Sequence, residues 1–210
     1  MQTEEEQLAE IKRWWTENGK TVITGLVIGL GGVLGYNSWQ AHQRGQAEQA
    51  SALYEEVVDT VSRDEHEQVL RQVDTLINDF SGTGYAKLGA LIGARSAYAS
   101  GNAARAVQLL EWTIDQADAP ALKDLARLRL ARLHVDAGSY DQARASIDAI
   151  TGTGFKSFVD EAKGDIADAE GDSDAAGKAY ELALADESIP AASRNRVQMK
   201  LDALGHLKIE

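Results

Sequence analysis

The chain has 210 residues, a formal net charge of -12 and no cysteine. Without thiols it has no disulfide framework, thiolate metal site or cysteine nucleophile. Its acidic surface repels phosphate backbones, so nucleic-acid binding is disfavoured. With two prolines and many Ala, Leu, Glu, Gln and Arg, the composition points to a helical protein, one globular domain of about 150 residues plus something short.

In chain order, residues 1–20 read as an acidic tail containing "TEEEQLAEIKRWW". Next comes "KTVITGLVIGLGGVLGYNSW", from Lys20 to Trp39, with no charged side chain between Lys20 and Arg44 but five glycines between positions 25 and 35. At ~1.5 Å per residue a helix of residues 21–39 spans about 28 Å, close to the ~30 Å hydrocarbon core of a bilayer. Trp14 and Trp15 precede it and Tyr36 and Trp39 close it, where interfacial aromatics belong. In a soluble helix each glycine would cost roughly 1 kcal/mol relative to alanine, whereas membrane helices tolerate glycine better. A phosphate loop is excluded, because the glycines at 29, 31, 32 and 35 do not form G-x-G-x-x-G and no Lys-Ser/Thr follows. A cleaved signal peptide is disfavoured by the long acidic lead-in, the length of the apolar run and the lack of an A-x-A site. The segment 21–42 is therefore predicted to be a retained transmembrane helix.

Lys12, Arg13 and Lys20 lie close on its N-terminal side and only Arg44 on the other. The positive-inside rule then puts the N-terminus in the cytoplasm and everything after residue 45 in the periplasm of a bacterial cell. Gly25, Gly29, Gly32 and Tyr36 fall within about 60° of one another around the helix. Such a small-residue face lets another membrane helix approach, either a second copy of this chain or a different protein.

From Gln46 onward 17 Lys+Arg stand against 28 Asp+Glu, and the sequence becomes repetitive. Gly101, Gly138 and Gly171 each separate two helical stretches, at intervals of 37 and 33, and each is followed five residues later by an alanine: Ala106, Ala143 and Ala176. Independently, "GTGY" at 82–85 recurs as "GTGF" at 152–155, an offset that matches the two intervals together. A helix, a Gly-polar turn and a second helix at a period near 34 describe a tetratricopeptide-type repeat. A degenerate first copy has Asp64 at the glycine position, with Ala50, Tyr54, Val57 and Val61 before it and Val69, Val73 and Leu76 after it. The predicted repeats are about 46–80, 84–117, 120–150 and 154–186. A capping helix at 188–206, with Val197, Leu201 and Leu204 inward, covers the open end. The fold class is all-α: one N-terminal transmembrane helix followed by a helical-repeat solenoid over 46–210.

No catalytic constellation emerges. His42, His66, His134 and His206 are scattered, and none forms a pair at metal-binding spacing. Acidic pairs such as Asp172/Asp174 read as helix starts, and no loop has the oxygen spacing of a calcium site. No catalytic, metal or cofactor residue is nominated, and a binding surface remains. In a tetratricopeptide stack the first helix of each repeat lines a groove. Counting back from the turn glycines nominates Leu88, Leu91, Arg95 and Tyr98, then Leu125, Leu128, Arg132 and Val135, then Phe158, Glu161, Asp165 and Asp168. Arg95 and Arg132 hold equivalent places and are candidates to grip the carbonyls or carboxylates of an extended peptide, or else pair with local acids such as Asp136. The apolar members are equally candidates for core between repeats.

The stretches "WWTENGKTVITGLVIGLGGVLGYNSW" at 14–39, "LRLARLHVDAGSYDQARASIDAI" at 128–150 and "GFKSFVDEAKGDIADAEGDSDAAGKAYELAL" at 154–184 resemble the YfgM-like ancillary subunits of the SecYEG translocon. The resemblance runs through almost the whole chain and is most specific in the membrane segment with its "ENGK" lead-in. It implies a bacterial inner-membrane protein with a short cytoplasmic tail and a periplasmic tetratricopeptide-like domain. Its implied partners are the SecYEG translocon, a membrane-anchored PpiD-type periplasmic chaperone and exported polypeptides. It carries no catalytic residues and no cofactor. Beside this non-enzymatic tether stands a second reading, a membrane-anchored signalling adaptor whose cytoplasmic tail binds a regulator.

Overall fold

Helices account for all regular structure among the described residues of the computed structural model, which cover 4–207, with side chains described from 6 to 205. Residues 1–3 of the acidic tail, residues 208–210 and the His206 side chain lie outside the described ones. The elements are α1 (Glu4–Ser62), α2 (His66–Asp79), α3 (Gly84–Ala99), α4 (Ala103–Gln116), α5 (Pro120–Asp136) and α6 (Tyr140–Asp148). After a 3-10 turn (Thr153–Phe155) come α7 (Lys156–Ala169), α8 (Ser173–Ala185) and α9 (Ala191–Leu207). The chain parts into two compact units between Gln49 and Ala50.

The first unit is the part of α1 that carries the apolar segment, and it is long and apolar enough to cross a membrane. Ile23, Leu26, Val27, Ile28, Leu30, Val33 and Leu34 are each more than half exposed. A water-soluble core helix would bury such a face. At its two ends Trp14 and Trp15 sit 6.5 Å apart, ring centre to ring centre, and Tyr36 and Trp39 6.1 Å apart. The "ENGK" lead-in has a local role, because the Trp15 ring reaches forward along the helix to Gly19, where a Cβ would lie 3.2 Å from it. Gly25, Gly29 and Gly32, in contrast, face open space, and Tyr36 is exposed.

The second unit begins with the last turns of α1, whose Ala50 and Val57 share a core cluster with Val69, Val73 and Leu76 of α2. The pairs α3/α4, α5/α6 and α7/α8 follow, and α9 packs on α8. Each hairpin turns in the same way. Gly101, Gly138 and Gly171 adopt φ of 82°, 70° and 85°. The residue after each glycine donates its N–H five residues back, Asn102 to Ala97, Ser139 to His134 and Asp172 to Ala167, at 2.8–2.9 Å. This is the glycine-closed helix end that satisfies the last carbonyls. Asn102 and Asp172 also cap the next helix, accepting from the N–H of Arg105 and Ala175. At the degenerate turn Asp64 is itself left-handed, with φ 57°, the one non-glycine residue of positive φ among those described. Five residues past each turn, Val69, Ala106, Ala143 and Ala176 are fully buried.

Small residues inside the first helices bring neighbours closer still. A Cβ on Gly89 would sit 2.6 Å from Leu76, one on Gly93 2.9 Å from Val73, and one on Gly164 2.3 Å from the buried Tyr180 ring. The two "GTG" stretches have different duties. Thr83 caps α3 through the Ala86 N–H, whereas Gly152 donates its N–H to the buried Asp124 carboxylate at 2.9 Å. The apolar interior forms three successive clusters, centred on Val73, Leu76 and Leu109, on Leu128, Ile147 and Ile166, and on Tyr180, Val197 and Leu204.

Two substitutions test this scheme by chemical denaturation. Gly164→Ala forces a methyl into a rigid ring and is expected to destabilise by about 1–3 kcal/mol. Asp64→Gly relieves a left-handed aspartate and is expected to stabilise by about 0.5–1 kcal/mol.

Candidate binding groove

Ten of the twelve positions nominated on the first helices sort into two kinds. Leu91 and Leu128 are 4% and 3% exposed and belong to the cores, with Leu125 and Phe158 packed against them. Their methyls hold one repeat to the next. Leu88 is exposed near the start of α3. Arg95, Tyr98, Arg132, Val135, Asp165 and Asp168 instead line two adjoining clefts.

The first cleft, of about 390 Å³, lies between α3 and α5. Its apolar floor is Ala94, Leu110 and Leu133, and its walls carry Arg95, Tyr98, Arg129, Arg132 and Asp136. Arg95 and Arg132, equivalent in sequence, do meet here. Arg129 joins them one turn before Arg132 and reaches back a full repeat to donate from Nη1 to the Leu91 carbonyl at 3.2 Å. Burial lowers the pKa of Arg129, and the like charges of Arg132 and Arg95 lower it further. None of the three guanidinium groups pairs with Asp136, which accepts a 2.6 Å hydrogen bond from the Tyr98 hydroxyl. That contact raises the Tyr98 pKa. Arg95 has no hydrogen bond or ion pair among the described residues, and Arg132 comes only within 4.0 Å of Glu161.

The second cleft, of about 330 Å³, shares Arg132 and Asp136 with the first and is closed by Asp165, Asp168, Tyr180 and Lys200. Beneath it lies Glu161, which the repeat register puts in the groove but the structure buries, its side chain 1% exposed. It accepts a two-pronged contact from Arg196, at 2.7 and 2.6 Å, and a third from Lys200 at 2.8 Å. Lys200 also bridges to Asp165 at 2.7 Å, and the Tyr180 hydroxyl donates to the same carboxylate at 2.9 Å. Burial alone would push the Glu161 pKa up, but the hydrogen bonds from Arg196 and Lys200 prevail and hold it at about 2. Tyr180 is shifted upward, first by burial and then by Asp165. Glu161 is thus the point at which the capping helix α9 is fastened to the last repeat. The signal in the sequence was two cations four residues apart, Arg196 and Lys200, on the helix expected to cover α7.

The groove offers fixed charges and an apolar floor, a binding arrangement. No group of three or more histidine, aspartate or glutamate side chains suited to a metal occurs among the described residues. The buried side-chain atoms left without a partner, His66 Nδ1 and Gln72 Oε1, belong to α2.

Residues 12–206 match the family model of the tetratricopeptide repeat-like domain. Over 201 residues the chain is 31% identical to an ancillary SecYEG translocon subunit of Haemophilus influenzae and 33% identical to one of Aggregatibacter actinomycetemcomitans, in each case across 96% of this chain and 97% of the relative. It is 28% identical over 203 residues to the protein of the same name in Escherichia coli, across 97% of both. No solved structure matches the chain.

The Glu161 network makes a pH prediction. Its folded pKa of about 2 lies below the ordinary 4.5, so folding favours the carboxylate. The resulting stability is complete above about pH 4.5 and is lost as the pH falls toward 2. Glu161→Gln should flatten that part of the stability profile. Arg196→Met strips the two-pronged partner from a buried charge and should cost about 2 kcal/mol at neutral pH, moderated because Lys200 stays. Denaturant titrations across the acid range read both.

Proposed function

From a chain that belongs to the tetratricopeptide repeat-like family of ancillary SecYEG translocon subunits, we propose a non-enzymatic accessory protein of the bacterial inner membrane. The helix over 21–42 anchors it once in the lipid bilayer, with the N-terminus in the cytoplasm and the repeat domain in the periplasm. There the repeat domain holds a PpiD-type chaperone, exported polypeptides or both beside the SecYEG translocon. The observation that carries this reading is the pairing, in one chain, of an exposed membrane-length apolar helix with a repeat domain whose groove bears unpaired charge. Tethering raises the local concentration of each partner for the other, so modest contacts suffice near the exit. Within the bilayer we assign the contact to Gly25, Gly29, Gly32 and Tyr36. Among the described residues nothing lies within 4 Å of a Cβ placed on those three glycines, which leaves room for a second helix.

Purification in mild detergent with identification of the bound proteins is the direct test. Translocon and chaperone components are expected, and they should persist when residues 2–10 are deleted. Loss on that deletion would favour a role for the cytoplasmic tail in binding a regulator. Gly29→Leu should reduce translocon recovery severalfold if the glycine face is the contact. Protease added to spheroplasts should cut after residue 45, and protection from that side would overturn the orientation.

A further inference from the structure

The two clefts leave an imbalance of charge in an otherwise acidic protein. Three guanidinium groups converge on the first. Arg95 has no partner among the described residues, Arg129 meets only a backbone carbonyl, and Arg132 faces a carboxylate already held by Arg196 and Lys200. The three come from α3 and α5, so stacking the repeats is what brings these like charges together. Arg129 and Arg132 are half-buried without a carboxylate of their own and Arg95 is exposed beside them, so the charge is poorly compensated and folding alone gives no reason for three at one place. In the second cleft the imbalance has the opposite sign. The Asp168 carboxylate makes no hydrogen bond or ion pair among the described residues, and the Asp136 carboxylate receives only a phenol hydroxyl.

We propose that the groove binds an extended peptide segment in which a Glu or Asp side chain enters between Arg95, Arg129 and Arg132 and a basic residue follows beside Asp136 and Asp168. The inference rests on the reading of the repeat domain as a peptide-holding module and supplies its selectivity. A planar guanidinium holds a carboxylate through paired charge-assisted hydrogen bonds, and three of them accept one carboxylate without full dehydration of the rest. The apolar floor of Ala94, Leu110 and Leu133 receives the methylenes of that side chain. An internal side chain fits better than a chain terminus, because the clefts join through Arg132 and Asp136 and the peptide can run on. Adjacent packed helices lie about 8–10 Å apart, which corresponds to about three residues of extended chain. The preferred pattern is therefore an acid followed about three residues on by a base. A uniformly acidic segment is rejected by Asp168.

The test uses the full chain in detergent micelles and short fluorescein-labelled peptides with amidated C-termini, read by fluorescence anisotropy. A peptide with Glu placed about three residues before Arg is expected to bind about tenfold more tightly than its Glu→Gln or Arg→Glu counterpart, and binding should weaken with salt. Arg95→Glu should reduce binding by a similar factor and narrow the preference for the Glu peptide over the Gln peptide. Arg95 is exposed and unpaired, so this variant keeps the fold, checked by its unfolding midpoint; Arg132→Gln provides a second reading. Equal binding of the Glu and Gln peptides, or no effect of Arg95→Glu, overturns the proposal. So does a Glu→Gln peptide whose binding recovers once its C-terminus is a free acid, since the groove would then read a terminus. If peptide discrimination fails while the wild-type chain still recovers the translocon, only the groove chemistry falls. If discrimination holds while translocon recovery fails, the groove stands and the functional reading falls.

Discussion

An isolated pair of antiparallel helices leaves one apolar face of each in water, so a repeat of this kind is stable only against a neighbour. That need organises the soluble unit. Leu91 and Leu128, at equivalent places in successive first helices, are given over to it, and Gly89, Gly93 and Gly164 remove side chains so that facing helices can close. The polar contacts follow the same logic, reaching from one repeat to the next. Tyr98 donates to Asp136, Arg129 to Leu91 and Gly152 to Asp124. Over α8 the problem is different, because it is covered by the single helix α9 and not by a further pair. There the structure combines apolar cover from Val197 and Leu204 with the buried carboxylate of Glu161.

Stacking also creates the charged groove. A single helix with an arginine at each turn would spread those charges into solvent. Bringing α3 against α5 converges three of them over an apolar floor, and bringing α7 alongside sets Asp165 and Asp168 next to them. Binding potential thus arises between repeats rather than within one, which is why substitutions that leave a helix intact can still empty the site. In the first unit the apolar side chains are exposed and, among the described residues, Gly25, Gly29 and Gly32 have no neighbour against a Cβ, a surface suited to lipid or another helix.

What could be read from the sequence was whatever a local rule enforces. Positive φ is cheap only for glycine, so Gly101, Gly138 and Gly171 announced their turns, and their period exposed Asp64 in the same role. The apolar segment was legible from length and missing charge, and the equivalence of Arg95 and Arg132 from counting back to the turns. Arg129 escaped notice because α5 is packed by α4, α6 and α7, so burial runs around much of the helix and blurs its periodicity. Glu161 was misplaced for a deeper reason. Its position is a groove position by register, and only the path of a helix thirty-five residues later converts it into an interior charge. Gly152 likewise looked like a copy of Gly82, yet its partner is the distant Asp124.

The fastening of α9 has a consequence for the order in which the domain is completed. A polypeptide made or threaded from its N-terminus presents Glu161 before Arg196 and Lys200 exist on the same side. Until they arrive, the carboxylate keeps its water and the apolar face of α8 stays open. The final repeat therefore closes only when the last helix emerges, so a truncated or stalled chain is left with a hydrated, unsealed end. Helix α9 acts as the latch on the repeat formed by α7 and α8.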